Sequence, residues 1–304
     1  QVIDYASVLL DADPKSAHVK SKKYGNLLHY VCRQKPISLV LVQKLCNDPQ
    51  AALKKDKNGN LPIHFVVERK DFSPAMVEII LALIRVNPST MSVKDKDGNL
   101  PLHSAIESGD KIPITVLKEM LDAFPGAAVV LDKDKNTPLH SACECRVKDI
   151  FNIVQMLLEA DPEGVAVKTK DRDGNLAIHS ACEKIGVPGK IQARVIHVLM
   201  EAYPEGLRIE DKDGNLPIHS AIETKTELPV SVIKTMIDKF GGATKIKDKD
   251  GNLPLHSCFH YLHGQQVIDY ASVLLDADPK SAHVKSKKYG NLLHYVCRQK
   301  PISL

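Results

Sequence analysis

The stretch Asp95-Lys96-Asp97-Gly98-Asn99-Leu100-Pro101-Leu102-His103 recurs along the whole chain. The closely related versions are Lys55–His64, Asp132–His140, Asp171–His179, Asp211–His219 and Asp248–His256, and degenerate forms occupy Lys22–His29 and Lys287–His294. Successive motif histidines lie 35, 39, 37, 39, 40, 37 and 38 residues apart. Self-similarity at such a period is typical of a repeat array in which each unit packs on its neighbours.

Each part of the motif has a predicted structural role. Asp-Gly-Asn tolerates positive φ and favours a tight turn. The proline that follows suits the first position of a helix, where its missing N–H costs nothing. Leu102–Glu107 is therefore predicted to be a short helix of about two turns.

A second apolar pattern at helical spacing follows in each unit and predicts a longer helix. Examples are Val116, Leu117, Met120, Leu121 and Phe124, and in the next unit Ile150, Ile153, Val154, Leu157 and Leu158. A residue before proline avoids the α region, so the long helix should end there. The prolines concerned are Pro14, Pro49, Pro88, Pro125, Pro162, Pro204 and Pro279, with Gly241 at the corresponding place in one unit.

The candidate site residues are the motif residues themselves, and we predict a structural role for them. They are Gly59, Pro62, His64, Gly98, Pro101, His103, Pro138, His140, Gly174, His179, Gly214, Pro217, His219, Gly251, Pro254 and His256. The histidines fall in different units, about 10 Å apart on helix-packing dimensions, which is too far to share a metal ion. We expect each imidazole to bind the backbone of its own turn.

The residues Asn136-Thr137-Pro138-Leu139-His140 resemble the Gly-x-Thr-Pro-Leu-His motif of the ankyrin-repeat family. The resemblance extends along the whole chain and implies an all-α, ankyrin-like helical-repeat solenoid with projecting turns. It also implies that the histidine ties the helix start to the turn. Leucine replaces the family's threonine in most units, which removes a capping hydroxyl. These leucines are Leu61, Leu100, Leu176, Leu216 and Leu253.

A second, longer period appears at the two ends of the sequence. Residues 1–39 and 266–304 are identical at all 39 positions, whereas the internal units differ freely. We interpret 1–265 as one module of seven units and 266–304 as the start of the next, identical module in a continuous array. Val2–Asp11 is then the long helix of a unit, and the chain should continue past Leu304 with a copy of Val40–Cys46. An engineered duplication, or one period of a filament, would give the same identity.

Composition narrows the classes of function. The formal net charge is +4 over 304 residues, and lysines alternate with aspartates in the turns, so no basic stripe for nucleic acid is predicted. No apolar run is long enough to span a membrane. The seven cysteines lack the paired spacing of a disulfide framework, and four of them share one helix position. This pattern favours small buried residues and a reducing compartment. It does not exclude an extracellular fibre. The four are Cys32, Cys143, Cys182 and Cys297.

No catalytic, metal or cofactor motif is predicted. Asp-x-Asp-Gly lacks the first and last ligands of an EF-hand loop, because Val93 and Ser104 occupy those positions around Gly98. His256 and His260 have a zinc-compatible spacing, but His256 belongs to the repeat motif. Nucleophile motifs and phosphate loops are missing from the sequence, which favours a protein that is not an enzyme.

Two functional hypotheses follow. Identity at exposed positions favours a non-enzymatic structural protein, a segment of a giant tandem-module solenoid that forms a fibre or elongated scaffold by self-association or by continuation with identical modules. The alternative is a protein–protein recognition module of ordinary ankyrin type, with partner selectivity in the variable segments between the motifs.

Overall fold

The structure is a computed structural model, and it describes residues 25–109, 112–145, 149–183, 188–224, 226–287 and 289–298. The chain divides into two compact units, Gln1–Pro162 and Glu163–Leu304. The predicted helix Val2–Asp11 lies outside the described residues, but the identical sequence at 267–276 is helical. The 265-residue period of the sequence stays a prediction.

The first unit contains nine described α-helices and two 3₁₀ helices, whose order follows the predicted alternation of short and long elements. They are α1 Leu27–Arg33, α2 Leu39–Leu45, α3 Pro49–Leu53, α4 Pro62–Val67, α5 Pro74–Val86, a 3₁₀ helix Pro88–Ser92, α6 Pro101–Glu107, α7 Ile114–Ala123, a 3₁₀ helix Pro125–Val129, α8 Pro138–Glu144 and α9 Ile150–Glu159.

The second unit continues the same alternation among its described residues. Its elements are α10 Val165–Lys168, α11 Ala177–Glu183, α12 Gly189–Ala202, a 3₁₀ helix Pro204–Arg208, α13 Pro217–Glu223, α14 Val230–Lys239, a 3₁₀ helix Gly241–Lys245, α15 Pro254–Tyr261, α16 Gln265–Ala277, a 3₁₀ helix Pro279–His283, β1 Lys285–Ser286, β2 Gly290–Asn291 and α17 Leu292–Arg298. The strands form a two-residue antiparallel ladder that pairs Lys285 with Asn291.

Helices stack in two layers within each unit. In the first unit the motif helices α1, α4, α6 and α8 contact one another in succession, and the second helices of the repeats, α2, α5, α7 and α9, do the same. In the second unit α11, α13 and α15 form one succession, and α12, α14 and α16 the other. The all-α helical-repeat prediction is therefore confirmed.

The apolar patterns of the sequence correspond to the core between these layers. Val116, Leu117, Met120 and Leu121 of α7 are buried, whereas Phe124 at its end is half-buried. In α9 the residues Ile150, Ile153, Val154 and Leu157 are buried, and Leu158 is half-buried. Helical periodicity thus identified the buried face, while the residues at its margin touch solvent.

The prolines that end the long helices also start a further element that the sequence did not predict. Four of the five described 3₁₀ helices begin with proline, at Pro88, Pro125, Pro204 and Pro279, and the fifth begins at Gly241. Proline fits the first position of a helix, and it also disfavours the helical conformation in the residue before it. One residue therefore ends the long helix and begins the short turn that leads back to the next motif.

The motif turn is held by the side chain of its first aspartate. Asp95 Oδ1 accepts the N–H groups of Asp97 at 2.8 Å and Asn99 at 2.9 Å. Gly98 has φ +82°, and a Cβ there would lie 2.8 Å from the backbone nitrogen of Lys133 in the next turn. Lys133 N–H donates to Asp97 O at 3.1 Å, so neighbouring turns are hydrogen-bonded to each other. Glycine is needed for this approach as well as for its positive φ.

Candidate functional site

The motif histidines link each short helix to two stretches of backbone. In the first unit His103 Nδ1 accepts the N–H of Leu100 at 3.2 Å, and its Nε2 lies 3.3 Å from the Asn136 carbonyl of the next motif. Because a backbone N–H can only donate, Nδ1 is the acceptor and Nε2 carries the proton. The imidazole therefore ties its own turn, as predicted, and also the next repeat.

The same two-ended bridge occurs in the second unit. His179 Nδ1 accepts the N–H of Leu176 at 3.1 Å, and its Nε2 lies 3.3 Å from the Asn215 carbonyl. Leu176 occupies the threonine position of the family motif. The ring nitrogen accepts the N–H of the residue just before the helix, and His140 Nδ1 does the same for Thr137 at 3.3 Å, so this bond is independent of the hydroxyl at that position.

Burial keeps the motif imidazoles neutral. The pKa values of His64, His103, His179 and His256 are lowered, mainly by desolvation, and the pKa of His219 is lowered to about 4. Asp248 is the largest influence in the opposite direction at His219. The neutral imidazoles of His103 and His179 each contact backbone groups through both ring nitrogens.

The remaining motif residues lie where local geometry requires them. The glycines Gly59, Gly98, Gly174, Gly214 and Gly251 have φ between 75° and 84°. The prolines Pro62, Pro101, Pro138, Pro217 and Pro254 are the first residues of their short helices. Lys135 takes the glycine position with φ 65°, which shows that the turn persists in the unit that lacks glycine.

A row of glutamates, four residues after the motif histidine, was not predicted from the sequence. Ser220 Oγ donates to Glu183 Oε1 at 2.9 Å, and Ser257 Oγ donates to Glu223 Oε1 at 3.0 Å. In the first unit Ser141 Oγ donates to Glu107 Oε1 at 3.0 Å. The repeated His-Ser-Ala-x-Glu sequence was the available signal, but the bonds join residues of different repeats.

The glutamates lie beside the acidic turns. The pKa of Glu223 is raised to about 7, mainly by partial burial and also by Asp248 and Glu183, against the lowering effect of the hydrogen bond from Ser257. The pKa of Glu107 is also raised, first by burial and then by the nearby Asp132 and Asp95, against the lowering effect of Ser141. Carboxyl groups therefore lie close together between the short helices and the turns, and their mutual repulsion contributes to the raised pKa values of the glutamates.

A pocket of about 360 Å³ opens on this face in the second unit. Its lining residues are Asp213, Asn215, Glu223, Asp248, Lys249, Asp250, Asn252 and Tyr261. Four carboxyl groups thus surround one ammonium group. Lys249 Nζ lies 3.9 Å from Asp213 Oδ1, and both side chains are largely exposed, so this ion pair is weak. We call the lining residues of this pocket the acidic pocket.

A larger groove of about 710 Å³ lies where the long helices of the second unit begin. Its lining consists of residues 188–190, 227–230 and 263–266 with Asp269 and Tyr270, which come from the variable segments between the motifs and from the first turns of the long helices that follow them. Tyr270 closes the floor, and its hydroxyl donates to Leu228 O at 2.8 Å. Leu228 and Tyr270 are buried, and three charged side chains, Lys190, Glu227 and Asp269, are distributed along the lining.

The histidine and cysteine side chains near residue 258 have different partners. Cys258 is buried with its Sγ 3.6 Å from Val267 O, and His260 lies 2.8 Å through Nδ1 from the hydroxyl of Tyr295. Among the described residues, the side chains of His, Cys, Asp and Glu form no group of three or more that could hold a metal ion. Within that same part of the chain, every helix is too short or too polar to cross a membrane.

Comparison with known proteins agrees with this geometry. The family model described as ankyrin repeats (3 copies) matches residues 73–171. A solved structure, the ankyrin repeat domain of Bcl-3, described as a unique member of the IkappaB protein family, superposes with a TM-score of 0.55 at 20% identity. The match covers 82% of this chain and 99% of that chain. No curated protein matches the sequence.

Stacked repeats create extended binding surfaces, and ankyrin repeats form protein–protein interaction modules. The turn, short helix, long helix and 3₁₀ helix recur in both units, and the motif persists on either side of the matched residues. Residues 73–171 therefore match the ankyrin-repeat family, and the chain has the fold of an ankyrin-repeat domain.

Proposed function

We propose that the chain is a non-enzymatic recognition module that binds a basic segment of a partner protein on the face of its turns and short helices. The acidic pocket carries this proposal. It gathers Asp213, Glu223, Asp248 and Asp250 around a volume within the range of small ligand sites. A lysine or arginine side chain of a partner fits both the size and the charge of such a pocket.

The local charges favour replacement of Lys249, the lysine that lines the pocket, by a cationic side chain of a partner. Lys249 is 66% exposed at its side chain and lies 3.9 Å from Asp213 Oδ1, so little is lost when a partner displaces it. Asn215 and Asn252 add amide groups, and the hydroxyl-bearing ring of Tyr261, 44% exposed, stands at the margin. Aromatic rings and carboxylates together suit an arginine side chain, which stacks and pairs at the same time.

The raised pKa of Glu223 gives the proposed binding a pH dependence. With a pKa of about 7, this carboxyl is only partly ionised at neutral pH. A bound cation favours the carboxylate, so binding releases a proton and should strengthen as the pH rises through 7. A partner without positive charge would show no such dependence.

The test uses fluorescence anisotropy with two labelled peptides of equal length, one rich in arginine and lysine and one with the same spacing of glutamate. We expect the basic peptide alone to bind, with an affinity that falls as salt is raised. Asp250→Asn and Glu223→Gln should each weaken binding. Asp276→Asn removes the same charge from an exposed position on the long helix α16 and serves as the control.

Equal binding of both peptides, or equal effects of Asp250→Asn and Asp276→Asn, would contradict the proposal. Equal binding would show that charge does not select the partner. Equal effects of the two variants would show that only the net charge of the chain matters, not the pocket.

A second candidate function rests on the identity of residues 1–39 and 266–304. Here the chain is part of a tandem-module array that works as an elongated scaffold and associates with identical modules. Long-read sequencing of the coding region tests it. The expected reading continues past Leu304 with a copy of Val40–Cys46; an unrelated sequence there, with a single module upstream, would remove the support for this candidate.

A further inference from the structure

The sequence contains a single Asn-Gly pair, Asn58-Gly59, and it lies in a motif turn of the first unit. Four other motif turns have an aspartate in the place of Asn58, followed by the same glycine. These aspartates are Asp97, Asp173, Asp213 and Asp250. Asn58 thus places a neutral amide where those turns place a carboxylate.

The structure leaves the side chain of Asn58 accessible. The residue is exposed at the tip of its turn, and its backbone N–H donates to Asp56 Oδ1 at 2.8 Å. Within the described part of the chain, its side-chain amide has no hydrogen-bond partner. Gly59 has φ +79° and lacks a side chain, so nothing at residue 59 shields its backbone nitrogen from that amide.

The turn that contains Asn58 is also held by fewer hydrogen bonds than its counterparts. In three of the aspartate turns, a lysine N–H of the next turn donates to the aspartate carbonyl. The pairs are Lys133 and Asp97 at 3.1 Å, Lys212 and Asp173 at 3.0 Å, and Lys249 and Asp213 at 2.9 Å. Lys96 has the corresponding place beside Asn58, but no such bond joins them among the described residues. The Asn58 turn should therefore open more readily than those three turns.

We infer that Asn58 is a site of spontaneous deamidation, which gives its turn the charge of the aspartate turns. The backbone nitrogen of Gly59 attacks the side-chain carbonyl carbon of Asn58 and closes a succinimide ring. The side-chain nitrogen leaves as ammonia and takes with it the proton of the attacking nitrogen. Water then opens the ring at one carbonyl to give aspartate or at the other to give isoaspartate. Water is the sole co-reactant.

The closed turn restrains this reaction. Gly59 N–H donates to Asp56 O at 3.1 Å, so the attacking nitrogen is engaged until the turn opens. The rate should therefore follow the population of the open turn, which the missing bond from Lys96 increases. The inter-turn bond thus sets the order of reactivity among turns of the same sequence.

The aspartate product fits the existing row of turns. A Cβ at Gly59 would lie 3.3 Å from the backbone nitrogen of Lys96, so the new carboxylate would stand next to that lysine. Asp97 stands in the same way beside Lys133, with Oδ1 3.8 Å from Nζ. An exposed pair of this kind adds little stability, so the main consequence is one added negative charge. The loss of ammonia makes the change one-way. The inference is independent of the proposed recognition of a basic segment.

The test is incubation of the full chain at mildly alkaline pH, followed by mass spectrometry of its peptides. The peptide with Asn58 should gain the mass difference between a carboxyl and an amide group, with fragment ions that distinguish Asn58 from Asn60. Asn47 is also exposed in a turn but is followed by Asp48, so it should stay unchanged. Ion-exchange chromatography should show a more acidic species in the parent chain and none in Asn58→Gln.

Asp97→Asn is the matched variant, because it creates a second Asn-Gly pair in a turn that has the bond from Lys133. The amide introduced there should deamidate at least several-fold more slowly than Asn58 in the same molecule. Far-ultraviolet circular dichroism before and after incubation shows that the helices are retained. Equal or faster reaction at position 97 in the folded variant would overturn the inference.

A synthetic peptide of residues 54–64 serves as the reactive reference. It has the same Asn-Gly pair without the fold, so it should deamidate faster than the folded chain. If Asn58 of the folded chain remained unmodified over a period that converts the peptide completely, the site would not exist in the native protein.

Discussion

Acidification should destabilise the second unit through His219, whose side chain is 0% exposed. Burial lowers the pKa of this imidazole from 6.5 to about 4. The unfolded chain therefore takes up a proton more readily than the folded one. The neutral ring contributes to the free energy of unfolding. This contribution is fully present above the pKa of the unfolded chain and is lost as the pH falls towards 4. Between about pH 7.5 and about pH 5 the loss amounts to about 2 kcal/mol.

Glu223 acts with the opposite sign in an overlapping window. Its folded pKa, about 7, is raised from 4.5, so the stability it contributes is present below 4.5 and is lost as the pH rises through 7. Acidification strengthens the fold through this group and weakens it through the histidine. A single curve of stability against pH mixes the two, so variants are needed to separate them.

The assay is urea unfolding followed by circular dichroism at a series of pH values. His219→Asn should be less stable than the parent at neutral pH, because His219 Nδ1 accepts the N–H of Leu216 at 3.2 Å. Its loss of stability on acidification should nevertheless be smaller by about 2 kcal/mol. His263→Asn, at an exposed position, should reproduce the parent curve. If His219→Asn loses as much stability on acidification as the parent, the imidazole is not held neutral in the fold.

Two further substitutions test the contacts between repeats. Gly98→Ala should lower the melting temperature more than Gly109→Ala. Both sites have positive φ, but only a Cβ at Gly98 meets the backbone nitrogen of Lys133, at 2.8 Å. Equal shifts in melting temperature would show that φ alone matters. Ser141→Ala should cost about 1 kcal/mol and raise the pKa of Glu107 further, since the Ser141 hydroxyl bonds that carboxylate. Calorimetry and a carboxyl titration by NMR check the second, and an unchanged Glu107 pKa would contradict it.

The repeat order and the short helices could be predicted because they depend on local patterns. Asp-Gly-Asn turns, prolines at helix starts and apolar residues at helical spacing act within a few residues of one another. The prediction of a short helix at Leu102–Glu107 agrees with α6, Pro101–Glu107, to within one residue. The expected tie between histidine and turn was likewise local, since His103 binds Leu100.

Contacts between repeats could not be predicted in the same way. The sequence contains Ser141 and Glu107, but their pairing across 34 positions depends on the stacking of neighbouring helices. The raised pKa of Glu223, and with it the charge of the acidic pocket, depends on burial by that stacking. Sequence spacing excluded an EF-hand, yet it gave no sign of where the carboxylates would gather.

The two copies of Leu-Leu-His-Tyr-Val-Cys-Arg separate local from tertiary effects most directly. Both segments form a helix capped by an asparagine, and the local sequence is enough for this, because hydrogen bonds within a few residues decide it. The burial of Leu28 and the exposure of Leu293 arise only from the surrounding fold. Burial depends on whether another helix packs on that face, and a seven-residue sequence contains no information about its neighbours.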